Sequence, residues 1–226
     1  GKITLVIASK PDVYALERAK NNNIEGKVLA RKEYGSIADY SKALADALEE
    51  ADIDLVVLAG FLTIIDEQVY EAFPNKILNV HPALIPSFCG KGYYGLHVHE
   101  KVLERGAKVT GATVHFVDED LDHGPILLQK AVDVKEGDTP QILQRRVMEE
   151  AEWKILPEAV KLFCEGRITV ENNKVSIRSI PGYNAASICE AFGGGGHAGA
   201  AGCSIRKPLA EAAQELEAYL VEWEKS

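Results

Sequence analysis

Short apolar runs rich in β-branched residues alternate with helix-forming stretches through the first half of this chain, and that alternation restricts the fold more than any other feature. Ile3-Thr4-Leu5-Val6-Ile7-Ala8 suits a strand buried on both faces. Tyr14 to Lys20 has helical composition and Gly26 to Ala30 reads as a short strand. Ser36 to Glu50 is a strong helix, with Tyr40, Leu44 and Leu48 at i, i+4 spacing and Ser36 as its cap. Asp54 to Gly60 and Lys76 to His81 are further apolar strands separated by a helix over Asp66 to Phe73. Strand, helix, strand recurs, so the class is α/β, Rossmann-like, with a mainly parallel sheet.

The second of those strands ends in Asn79-Val80-His81-Pro82. Side chains alternate along a strand, so Asn79 and His81 point to one face. A lone carboxylate, Asp122, lies in the loop between the extended segments Val109 to Val117 and Ile126 to Val134. An amide to hold an oxygen, an imidazole to trade a proton and a carboxylate to orient or charge it suit attack on a carbonyl. A single Asn-x-His pair more often satisfies backbone groups. Its place here is what favours chemistry, because ligands of open parallel sheets bind beyond the carboxyl ends of the strands, where Gly60 and His81 fall.

Thr139 to Cys164 reads as one or two helices with Pro140 in a first turn, and Gly166 to Ile177 as a hairpin turning at Asn172-Asn173. A short helix over Asn184 to Phe192, a glycine run Gly193 to His197, a strand over Gly202 to Arg206 and an amphipathic helix over Pro208 to Trp223 follow.

Composition narrows the function classes. At 226 residues the chain accommodates one large domain or one domain with an appendage. A net charge of −9 with no basic stripe argues against a dedicated nucleic-acid surface. The four cysteines, Cys89, Cys164, Cys189 and Cys203, form no CxxC pair, so a reducing, cytoplasmic setting is expected. No apolar run approaches the roughly 18 to 20 residues of a membrane span, and with no charged-then-apolar stretch in the given sequence export is not expected. His97 and His99 have the look of a metal pair without a third ligand, and no metal is expected.

Val57-Leu58-Ala59-Gly60-Phe61, Leu78-Asn79-Val80-His81-Pro82-Ala83-Leu84-Ile85-Pro86, Gly95-Leu96-His97, Gly111 to Val117 and Leu121-Asp122-His123-Gly124-Pro125-Ile126 occur in an order that resembles the glycinamide ribonucleotide formyltransferases of purine biosynthesis. The resemblance covers residues from about 2 to 177. It implies transfer of a formyl group from 10-formyltetrahydrofolate to the amine of a small-molecule substrate. Asn79 and His81 would stabilise the oxyanion and shuttle the proton, while Asp122 would raise the basicity of His81 or hold a water. The folate would lie along Leu62, Ile64 and Ile65, with its pterin near the backbone of Val117, Asp118, Asp120 and Leu121. Gly60, Pro82 and Glu152 would face the amine substrate. For Leu62, Ile64 and Ile65 plain core packing is the competing reading. The family opens with a strand and a phosphate-holding Gly-Ser-Asn loop, whereas this sequence begins at what would be the second strand and has Ile37 where an arginine is frequent.

The tail carries its own resemblance. Val175-Ser176-Ile177-Arg178-Ser179, Ala191-Phe192-Gly193-Gly194-Gly195-Gly196-His197 and Ala200-Ala201-Gly202 are similar to the C-terminal substrate-binding domain of DHH-type phosphoesterases. That implies a nucleotide-phosphate cradle built from Arg178, Ser179, Gly194, Gly195, Gly196 and His197. The Asp-His-His catalytic motif of those enzymes is absent, so phosphodiester hydrolysis is not expected. The expected organisation is a formyltransferase-like domain over residues 1–177 and a phosphoesterase-like segment over 178–226, joined as a recombinant fusion in which the tail takes the place of the first strand and helix. The open alternatives are a silent engineered scaffold and a nucleotide-binding module. Either a monomer or a homodimer is compatible with the sequence.

Overall fold

A computed structural model describes residues 1–171, 174–177, 184–197, 200–202, 211, 214, 215, 218 and 219. The chain divides into two compact units, Gly1–Cys164 with Val170–Val175, and Glu165–Thr169 with Ser176–Ser226.

The first unit runs β1 (Leu5–Ala8), α1 (Tyr14–Asn21), β2 (Glu25–Val28), α2 (Ile37–Glu50), β3 (Val56–Leu58), α3 (Glu67–Ala72), β4 (Ile77–His81), α4 (Leu96–Glu104), β5 (Val109–Phe116), β6 (Ile126–Asp133), α5 (Pro140–Val147) and α6 (Trp153–Cys164). This is a Rossmann-like α/β fold. β1 and β2 pair in parallel, as do β3 and β4, and the larger sheet then continues antiparallel through β5 and β6 in the order β3-β4-β5-β6.

Local chemistry sets the helix ends. The Ser36 hydroxyl accepts from the Asp39 N–H at 3.0 Å, Asp66 caps α3 through the Gln68 N–H, and Thr139 caps α5 ahead of Pro140. The i, i+4 stripe of α2 is buried: Tyr40, Leu44 and Leu48 pack with Leu29, Val69, Phe73 and Ile77, and with the flanks of β1 and β3. Each such large side chain contributes on the order of 1.5–3 kcal/mol. In β5 every residue from Thr110 to Phe116 is buried, which makes it the rigid centre of the sheet. The Thr113 hydroxyl donates to the Ala83 carbonyl at 2.7 Å and accepts from the Ile85 N–H at 3.1 Å, so β5 fixes the path of the chain leaving β4.

Some elements differ from expectation. The first strand starts at Leu5, leaves Ile3 67% exposed, and keeps Leu5, Val6 and Ile7 only half-buried. β1 is paired on one side only among the described residues, so its other edge gains no neighbour to bury it. β3 is also short, with Val57 exposed. The expected helix over 139–164 is two α-helices joined by a π-helical turn, Met148–Glu152.

The expected hairpin forms as β7 (Ile168–Glu171) and β8 (Lys174–Ile177), and in the second unit α7 (Ala185–Glu190) follows, which Asn184 caps. The glycine run is not an open loop. Gly195–His197 is strand β9, paired antiparallel with β10 (Ala200–Gly202). The rest of the strand expected over Gly202 to Arg206, and most of the final helix, lie outside the described residues.

Candidate active site

β4 delivers Asn79 and His81 from the middle and end of a strand whose first residues, Ile77 and Leu78, are fixed in the core. Asp122 arrives from the loop between β5 and β6, in left-handed backbone at φ 57°, a conformation that Asp tolerates better than most residues. Gly124 holds that loop down. A Cβ there would collide with the Phe116 carbonyl, so no larger residue fits without moving the loop.

The three groups expected from the sequence converge. His81 is 4% exposed; its Nδ1 lies 3.5 Å from Asp122 Oδ2, and its Nε2 is 2.8 Å from the Phe88 carbonyl. A carbonyl only accepts, so Nε2 carries the proton in that contact. The Gly90 N–H donates to Asp122 Oδ2 at 2.9 Å. Asn79 Nδ2 lies 3.1 Å from His115 Nε2, and that nitrogen is 3.7 Å from Asp122 Oδ1. Two imidazoles, one amide and one carboxylate thus form one cluster.

Burial is the largest influence on His81 and holds its pKa below the usual imidazole value, although Asp122 and the Phe88 carbonyl pull upward; His115 pushes it down further. Burial also acts on Asp122, pushing upward, but His115, His81 and the Gly90 N–H outweigh it and leave the carboxyl below its ordinary value. The state near neutral pH is an ionised carboxylate beside a neutral imidazole. That pair takes up a proton and stabilises the resulting charge in place.

Other expected residues fall in two groups. Leu62, Ile64 and Leu121 are 69%, 67% and 61% exposed, so core packing does not account for them, and an apolar partner would find them accessible. Ile65 and Val117 pack against the hydrophobic core. Asp118 accepts the Asp120 N–H at 3.1 Å, which shapes the backbone turn leading to Asp122. Gly60 sits at φ 64° just after β3 with open space beside it, Pro82 follows His81 half-buried, and Glu152 closes the π-helical turn with its carboxyl raised by burial. Arg178 and Ser179 lie outside the described residues. Gly195, Gly196 and His197 are exposed on β9, and Gly194 precedes them half-buried.

His97 and His99 do not act as a pair. Two apart on α4, they face different ways: His97 meets Glu100 at the surface, whereas His99 is fully buried with neither ring nitrogen hydrogen-bonded. Burial, and secondarily His81, lower its pKa to about 4. Among the described residues no group of His, Cys, Asp or Glu is arranged to hold a metal ion.

Sequence reasoning missed His115, the Phe88 carbonyl and the Gly90 N–H. The alternation through Val109 to Val117 put His115 on a definite face, but its partner depends on the β4–β5 register, which local pattern does not encode.

An amide and an imidazole from β4 and a carboxylate from the loop between β5 and β6 thus meet in one cluster, a set of groups whose chemistry suits attack on a carbonyl. Comparisons with known proteins resolve this further. The formyl transferase family model matches residues 1–160, and the chain belongs to that family. A DHHA1 domain model matches residues 140–225. The chain is 44% identical over 169 residues to the chloroplastic phosphoribosylglycinamide formyltransferase of Arabidopsis thaliana, a match covering 74% of this chain and 58% of that protein. It is 37% identical over 172 residues to the phosphoribosylglycinamide formyltransferase of Haemophilus influenzae, covering 76% of this chain and 78% of that one. The crystal structure of glycinamide ribonucleotide transformylase 1 from Symbiobacterium toebii superposes with a TM-score of 0.74 at 43% identity, covering 78% of this chain and 81% of that chain. Against longer relatives the share is small: the match spans 17% of the human trifunctional purine biosynthetic protein. No helix among the described residues is long and apolar enough to cross a membrane.

Proposed function

We propose that this chain transfers a formyl group from 10-formyltetrahydrofolate to the amine of glycinamide ribonucleotide, with Asn79, His81 and Asp122 as the catalytic residues. The observation that carries this reading is the single cluster joining the strand-borne pair to Asp122, 3.5 Å from His81 and within reach of His115 beside Asn79. The relatives named above support the choice of substrates.

The accessible apolar side chains of Leu62, Ile64 and Leu121 fit a flat heteroaromatic donor. When bound, that donor supplies an electrophilic formyl carbon. Asn79 has a second Nδ2 proton to offer the formyl oxygen as negative charge grows there. His81, neutral and buried, accepts the proton released by the attacking amine. Asp122, already ionised, stabilises the imidazolium 3.5 Å away until the proton passes to the departing nitrogen. Glu152, with its raised pKa, offers a carboxyl to the amine substrate. Each such group is worth about 10²- to 10⁴-fold in rate.

The test is an assay with both substrates, comparing the natural chain with His81→Ala. Formyl transfer that falls by about 10²-fold or more in the variant supports the reading; no turnover by the natural chain, or equal turnover by both, removes it.

A further inference from the structure

Asn79 is useful to a growing oxyanion only if its Nδ2, and not its Oδ1, points at the reacting oxygen, and a lone asparagine amide has no intrinsic preference between the two. We propose that His115 is the positioning residue that sets this orientation. The inference rests on the formyl-transfer reading for its kinetic consequence, but its physical content is a hydrogen-bond lock that exists without substrate.

Three observations carry it. The β4–β5 register pairs Asn79 directly with His115, so the two side chains lie on one face of adjacent strands. His115 Nδ1 lies 2.8 Å from the Phe116 carbonyl, so that nitrogen donates, and in the neutral ring Nε2 is left with a lone pair. At 3.1 Å from Nε2, Asn79 presents Nδ2, because an amide oxygen there would face lone pair to lone pair. The ring is 2% exposed, so water cannot substitute for it. One Asn79 proton is thereby committed to His115 and the other is left for a ligand.

The experiment compares the natural chain with His115→Phe and His115→Gln, each first checked for native circular dichroism. Gln places an amide oxygen near the lost Nε2 and restores an acceptor; Phe fills the space without one. Two readouts are taken. In steady-state transfer, His115→Phe lowers kcat by about 10- to 100-fold while KM for either substrate stays within about twofold, and His115→Gln recovers most of the loss. In nuclear magnetic resonance, assigned by its absence in Asn79→Asp, the Asn79 Nδ2 proton pair shows one slowly exchanging member in the natural chain and in His115→Gln, and none in His115→Phe. Unchanged kcat in folded His115→Phe, or His115→Gln as impaired as His115→Phe, overturns the proposal. If the natural chain transfers no formyl group, the functional reading falls and the resonance arm decides alone: a protected proton that survives in His115→Phe overturns the lock, and one that vanishes supports it.

Discussion

The catalytic cluster and the glycine hairpin both sit on strands, yet they differ in what holds them. His81 and His115 are buried, Asn79 and Asp122 half-buried, and all four are tied to one another or to backbone carbonyls and amides; the register of the three on strands follows from neighbours fixed in the core. Gly195 to His197 are exposed, and a Cβ at Gly195 would meet nothing within 4 Å. Packing therefore dictates the residues of the first region. In the second, packing among the described residues makes no such demand at Gly195.

The sharpest contrast is Gly124→Ala against Gly195→Val. The Gly124 substitution drives a methyl group into the Phe116 carbonyl beside Asp122, and should cost about 1–3 kcal/mol in denaturant unfolding together with a loss of turnover.

Acid is the next test, and it acts on the cluster's own unit. Folded His99 titrates near 4 and the unfolded residue near 6.5, so the unfolded chain binds the extra proton between those values. Stability falls as pH drops from about 6.5 to about 4, by on the order of 3 kcal/mol, and this contribution is fully retained above about 6.5. Unfolding midpoints at pH 7, 5.5 and 4.5 should show the decline, and His99→Gln should flatten it.

The smallest effect is expected at the hairpin. Gly195→Val should change stability by less than about 0.5 kcal/mol, since open space surrounds the site. Titration with a mononucleotide then asks whether glycine is there for a ligand: binding by the natural chain that the variant loses would separate the hairpin's role from packing.

What the sequence made legible was local. The period-2 spacing of Asn79 and His81, the capped stripe of α2 from Ser36 to Leu48, and the Asp122 loop were all readable from neighbours a few residues apart. His115 was not, because its meaning lies in a cross-strand pairing 36 residues away. The first strand was read as buried on both faces from its composition, whereas the burial of Leu5 to Ile7 depends on a second strand partner that composition does not report. The pairing of Gly195–His197 with Ala200–Gly202 is likewise a contact that a glycine run does not announce by itself.

The central claim is that His81 and Asp122 act as one unit in formyl transfer, and a double-mutant cycle on kcat tests it most directly. His81→Ala, Asp122→Asn and the double variant are measured with 10-formyltetrahydrofolate and glycinamide ribonucleotide. The account predicts that each single change costs about 10²-fold or more and that the double variant is scarcely worse than either. Losses that multiply, or a single variant that turns over at the natural rate, would contradict it.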